Sequence, residues 1–165
     1  MEKPVIYWLR QDLRLQDNPA LIAAAALDRP IIPLFILEPS SSLGGASRWW
    51  LHHSLTHLKK TFKKFGLDLI VRKGKAKSIL QDLIKETGAE HVVWNRRYQA
   101  DSIKIDAEIK ELLSAKEVNC ESFNSHLLFE PWTIKNKQGK PYQVFTSFWK
   151  YCRQNQQPPK PVATP

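Results

Sequence analysis

PVIYWLR (residues 4–10), with QDLRLQDNPAL (11–21) behind it, is the stretch on which the fold turns. The first part is a short apolar run rich in β-formers and reads as a buried strand. The second alternates charges with leucines and then breaks at Asp17-Asn18-Pro19. Asn18 is suited to cap a helix that starts at Pro19, where a missing N–H costs nothing. The alanine-rich ALIAAAAL (20–27) is then a compact helix able to lie close on a sheet.

The same alternation continues along the chain. PIIPLFIL (30–37) is a second buried strand. Ser47 to Phe65 carries Trp50, Leu51, Leu55, Leu58 and Phe62 near helical period, and Gly66 ends it. LDLIVR (67–72) is a third strand, Ser78 to Thr87 a helix stopped by Gly88, and HVVWN (91–95) a fourth strand. Ser102 to Leu113 is a helix with a stripe of Ile103, Ile105, Ile109, Leu112 and Leu113, and VNCESFN (118–124) is a weaker fifth strand. Five strand–helix alternations predict an α/β, Rossmann-like, five-stranded parallel sheet with helices on both faces. Past residue 125 the pattern fails. An irregular wrap with a turn at Gly139 leads to a short helix over 146–153, and the proline-rich QNQQPPKPVATP reads as a linker. The expected organisation is an α/β unit over 1–130, a completing wrap and helix over 131–154, and a linker over 155–165.

Composition sets the bounds. With 165 residues, 42% of them hydrophobic and 25% charged, the chain is expected to be one globular unit. No apolar run nears the roughly 20 residues of a membrane span, and the start carries no signal-peptide pattern. A soluble, cytoplasmic, monomeric protein with no membrane partner is expected. Cys120 and Cys152 form no CxxC, so neither a disulfide framework nor a thiolate zinc site is indicated. The net charge of +9 invites a nucleic-acid reading, but Lys59, Lys60, Lys63 and Lys64 fit one solvated helix face. His53 and His57 share a helix face, yet no third ligand is evident, and a packing or surface role is expected.

Open parallel sheets bind ligands beyond the carboxyl ends of their strands. If the first strand is central, residues 8–10 should lie near Phe35–Glu38 and Asn95–Asp101. A glycine-rich phosphate turn is missing after the first strand, and so is the P-loop pattern. A ring system held by side chains is expected instead. Arg10, Asp12, Arg14 and Asp17 read as an exposed charge lattice tying the strand exit to the next helix; a ligand contact by Arg10 is the alternative.

The opening stretch also closely resembles the D-L-R-L-x-D-N-x-A-L motif of the DNA photolyase/cryptochrome family. SRWWLHHSLTHL (47–58), VVWNRRY (92–98), GKPYQVFTSFWK (139–150) and PKPVATP (159–165) resemble further family segments, in order along the chain. Within the family the chain is most like the class I cyclobutane pyrimidine dimer photolyases. The resemblance implies the amino-terminal antenna domain of a deoxyribodipyrimidine photo-lyase, a carbon–carbon lyase driven by blue light. It implies a light-harvesting chromophore here: methenyltetrahydrofolate, an 8-hydroxy-deazaflavin or a flavin. FAD would sit in a helical carboxyl-terminal domain that these residues do not include, so the fragment alone is not expected to be catalytic. That domain and damaged DNA are the implied partners.

By the same resemblance the antenna site falls on Trp8, Arg10, Phe35, Ile36, Leu37, Arg48 and Asn95. Arg48 would hold a ring carbonyl or pair with Glu38. Arg97 stands where deazaflavin binders often carry an acid, and with Arg96 it favours an anionic ligand. Asp101 is the nearest carboxylate for a pteridine edge. A cryptochrome photoreceptor and a stand-alone nucleotide-binding module are the competing readings. Trp49, Trp50, Trp132 and Trp149 are expected to pack or to meet another domain, and Phe145, Phe148 and Trp149 to form an apolar patch.

Overall fold

The computed structural model describes residues 2–39 and 43–165; Met1 and residues 40–42, within the expected 1–130 unit, lie outside the described residues. Five strands form one parallel sheet: β1 Val5–Leu9, β2 Ile31–Leu37, β3 Ile70–Lys73, β4 His91–Asn95 and β5 Asn119–Phe123. Their order is β3-β2-β1-β4-β5, so β1 is central. Trp8 lies opposite Leu34 on one side and Trp94 on the other. The carboxyl ends of β1, β2 and β4 therefore open at one edge of the sheet.

Helices cover both faces because β1 and its neighbours are apolar on both. Ile6, Trp8, Val92 and Trp94 pack beneath α3 (Ala76–Thr87) and α4 (Ala100–Ser114). Val5, Tyr7, Leu9 and Val93 pack beneath α1 (Pro19–Ala26) and α2 (Gly45–Lys64). Ala20 and Ala24 let α1 approach the sheet closely. Asn18 caps α1 as its sequence suggests, accepting from the Leu21 N–H at 3.1 Å. Gly88 ends α3 at φ +69°, a left-handed stop that favours glycine.

Three local expectations need correction. β3 starts at Ile70, not at residue 67, because only Ile70–Lys73 reach the register of Leu34–Leu37. The α4 stripe holds at Ile105, Ile109, Leu112 and Leu113, which pack on the core, but it also takes in the buried Asp106 and leaves Ile103 half exposed. The opening charges do not form an exposed lattice. Asp12 is buried, and Arg14 donates to the carbonyls of Gln16, Asp17 and Ser125.

After β5 the chain wraps through a 3-10 turn (Pro131–Thr133) into α5 (Phe145–Asn155). Arg96 and Tyr98 hold this wrap by donating to Glu130, at 2.6 and 3.0 Å. Residues 156–165 have no regular structure. They are nonetheless tethered: Asp17 N–H donates to Val162 O, and Val162 N–H donates to Asp17 Oδ1. Among the described residues no helix is long and apolar enough to cross a membrane.

Candidate functional site

A cavity of about 580 Å³ opens beyond the ends of β1 and β2. Its floor is the strand ends, with Trp8, Leu9, Phe35, Ile36 and Leu37. Its far wall is α2, which presents Ser47, Trp50, Leu51 and Ser54. That i, i+3, i+4, i+7 spacing is one helix face. The 10–14 loop and Arg97 complete the rim. Size and mixed lining suit a small planar molecule.

The rim is built by charges that cancel one another. Arg10 is buried, lies over the Trp8 ring at 3.8 Å, and forks onto both oxygens of Asp106 at 2.6 and 3.2 Å. Burial pulls the Arg10 guanidinium below its usual range, and the Asp106 hydrogen bond pulls it back. Glu38 and Arg97 follow the strands on either side of β1. They meet across its end at 2.8 Å, and Arg97 also lies 3.5 Å from Asp106. The Nε atoms of Arg10 and Arg97 are sealed from solvent without a partner among the described residues. These guanidiniums spend their terminal N–H groups on holding the strand ends together.

Beneath the rim lies a second polar network, built around Asp12, Asn18 and Asn95. Asn95 is fully buried; it donates to Asp12 and to Asn18 Oδ1, and its own Oδ1 accepts the Ala20 N–H at 3.2 Å. Asn18 donates to Tyr7 Oη at 2.6 Å and to Arg14 O at 2.9 Å. Burial raises the Tyr7 phenol far above its usual range, so it stays protonated. Asp12 also accepts the Arg10 N–H at 2.9 Å. The loop that joins β1 to α1 and the end of β4 thus share one knot.

Of the residues expected at the site, the cavity brings together Trp8, Arg10, Phe35, Ile36, Leu37 and Arg97. It does not include Arg48, Asn95 or Asp101. Arg48 is exposed, one residue beyond Ser47 and so rotated away from the lining face of α2. Asn95 is consumed by the network below. Asp101 is exposed in the first turn of α4. Arg96 is not an anion anchor beside Arg97; it faces Ser122 and Glu130. Sequence reading missed Asp106, although a carboxylate in the α4 stripe signals a buried cation partner. It also missed the Ser47/Ser54 edge of the α2 face, where small polar residues bracket Trp50 and Leu51. Among the described residues no cluster of three His, Cys, Asp or Glu could hold a metal ion. Trp49 packs against His53, with ring centroids 4.3 Å apart.

Comparison with known proteins gives this architecture its relatives. A deoxyribodipyrimidine photo-lyase of Agrobacterium fabrum (strain C58 / ATCC 33970) is 45% identical over 163 residues, 98% of this chain and 34% of the relative. Cryptochrome-2 of Arabidopsis thaliana is 42% identical over 157 residues, 92% of this chain and 26% of the relative. The crystal structure of a bacterial class III photolyase from Agrobacterium tumefaciens superposes with a TM-score of 0.95 at 44% identity, over 100% of this chain and 34% of that one. The chain therefore spans about a third of the length of these photolyases. The DNA photolyase family model matches residues 5–165, and the chain belongs to the DNA photolyase family.

Proposed function

We propose that these residues form the antenna-side α/β domain of a light-driven deoxyribodipyrimidine photo-lyase. The observation that carries this reading is the cleft of about 580 Å³ beyond β1 and β2, in a chain so similar to photolyases. The residues fit a planar heteroaromatic cofactor of the folate, deazaflavin or flavin class. Trp50 and Phe35 offer ring faces, Leu37 and Leu51 apolar edges, and Ser47, Ser54 and Gln11 hydrogen-bonding groups. The charges at the rim are already balanced, and the loop after β1 has no glycine. A phosphate-led nucleotide therefore fits less well than a ring held by side chains. When bound, such a cofactor would absorb light and pass its excitation to FAD. The protein's part is to fix the ring's plane between α2 and the strand ends and to keep water from its faces.

On this reading the full protein adds a flavin-bearing domain that acts on pyrimidine dimers in DNA, as a cytoplasmic monomer. The unit boundaries are those expected from the sequence: the α/β unit to 130, the wrap and α5 to 154, and the connection beyond. We assign the finer class as that of the Agrobacterium class III structure, in place of the class I expected from the motifs. The similarity to cryptochrome-2 supports a photoreceptor as the second reading. Blue-light repair of dimer-containing DNA by the full-length protein separates the two, and its absence sinks the enzyme reading. For the site, Ser54→Trp should fill the cleft. Absorption and mass spectra of the full-length protein would then show antenna occupancy below a tenth of wild type, and unchanged occupancy would place the cofactor elsewhere.

A further inference from the structure

Residues 131–165 contain Lys135, Lys137, Lys140, Lys150, Arg153 and Lys160 and not one aspartate or glutamate. Six of the nine net positive charges thus sit in this last part of the chain. All six side chains are exposed, and none forms an ion pair among the described residues. Lysines of α2 such as Lys59, Lys60 and Lys64 are also without an ion pair among the described residues, but there Asp68 lies close by and pairs with Lys63; what sets 131–165 apart is that it has no carboxylate side chain. A stretch without carboxylates sums to a single-sign field that attracts an anionic partner, the more so at low salt.

The cations are also shaped. Asn136 Oδ1 accepts the N–H groups of Gln138 and Lys140, and Asn136 N–H donates to Lys140 O at 2.8 Å. With Gly139 at φ +75°, this makes a tight turn that holds three of the lysines. The turn faces α5 across a groove of about 550 Å³ lined by Lys135, Lys137, Ser147, Lys150, Tyr151 and Asn155. The Tyr142 and Tyr151 rings lie 5.4 Å apart along it. Lysine, amide, hydroxyl and phenol groups are the usual contacts to a sugar–phosphate backbone. Five of the six cations are lysines, which bind phosphate as point charges and so suit a backbone read without regard to base sequence.

We propose that the groove between the 135–140 turn and α5 is a docking surface for the phosphate backbone of duplex DNA. The inference rests on the repair reading for its partner, but its test needs neither light nor a cofactor. The full-length protein, kept in the dark, is titrated with a short, undamaged, fluorescent duplex, read by anisotropy over a range of salt. Lys135→Gln/Lys137→Gln/Lys150→Gln is compared with Lys59→Gln/Lys60→Gln/Lys64→Gln on α2, which removes equal charge. Each phosphate contact contributes about 0.9 to the salt slope, so the groove variant should lose about 2.7. Its deficit against wild type should then shrink about 40-fold between about 50 and about 200 mM salt. The α2 variant should keep the wild-type slope.

Equal losses in both variants would overturn the proposal, as would unchanged binding by the groove variant. Displacement of the duplex by polyglutamate at equal charge would overturn it in favour of an acidic polypeptide. Failure of dimer repair by the full-length protein refutes the enzyme reading and leaves this measurement standing.

Discussion

Replacing Asp106 by Asn tests whether the rim is held by a buried charge pair. Asn keeps the volume and one acceptor but removes the charge facing Arg10. The Arg10 side chain is 2% exposed and that of Asp106 11%, so water cannot take the carboxylate's place. Stranding one member of such a pair costs about 3–5 kcal/mol. With a urea m-value of about 2 kcal/mol/M, the unfolding midpoint should fall by about 1.5–2.5 M. Lost packing would give a similar fall, so a second variant is needed. Arg10→Met/Asp106→Leu removes both charges and keeps an apolar filling over Trp8. It should recover most of the loss, because buried pairs are replaced at little cost when both partners go. A midpoint for Asp106→Asn within about 0.3 M of wild type, or a double variant no better than the single one, would refute the reasoning.

Trp50→Ala should lower antenna occupancy in the full-length protein while the unfolding free energy from urea stays within about 0.5 kcal/mol of wild type, since the indole is 70% exposed and lines the cleft; a large stability loss would mean it is core. Asn18→Ala should cost about 2–4 kcal/mol in the same urea assay, about 1 from the lost cap and the rest from the Asn95 donor and the Tyr7 and Arg14 acceptors left short of a partner beneath it; a cost below about 1 kcal/mol would dismiss the shared network. Burial pushes the Cys120 thiol from 9.0 up to about 11, against a smaller opposing pull from Lys110. The fold prefers the protonated thiol, so this stability is intact below the unfolded value of 9.0 and is lost as pH rises through about 11. Stability curves of wild type and Cys120→Ala should diverge over that window, and parallel curves would contradict the burial.

The layers were legible because each strand announces itself locally. PVIYWLR and HVVWN are apolar on both faces, and a strand covered by helices on both sides needs that. Asn18-Pro19 and Gly88 mark helix ends through backbone chemistry that needs no tertiary partner. The site was only half legible for the opposite reason. Which residues share a strand end follows from sheet order, and sheet order follows from long-range pairing. Arg10 finds Asp106, Arg14 finds Ser125, and Asp17 finds Val162. None of these partners is near in sequence, so the charges of 10–17 looked like a local lattice. Arg48 lies outside the cleft for a simpler reason: one residue along a helix turns a side chain by about 100°, and the lining face begins at Ser47.

Asn95, which the cleft leaves out, and the apolar side chains that line it differ in one respect. Where parallel strands end, the departing loops bring backbone and side-chain polar groups that must be satisfied before any ligand arrives. Asn95, Asn18 and Asp12 meet that need below the rim, and Asp106 and Glu38 meet it for the two arginines. A polar residue at a strand end is therefore claimed first by the neighbouring loop. What remains for a ligand is the apolar and aromatic surface the strands cannot cover themselves, here between β2 and α2. Binding a flat ring there needs no rearrangement of the charge knot. Substitutions on the α2 face should thus change ligand retention and leave stability alone, while substitutions in the knot should do the reverse.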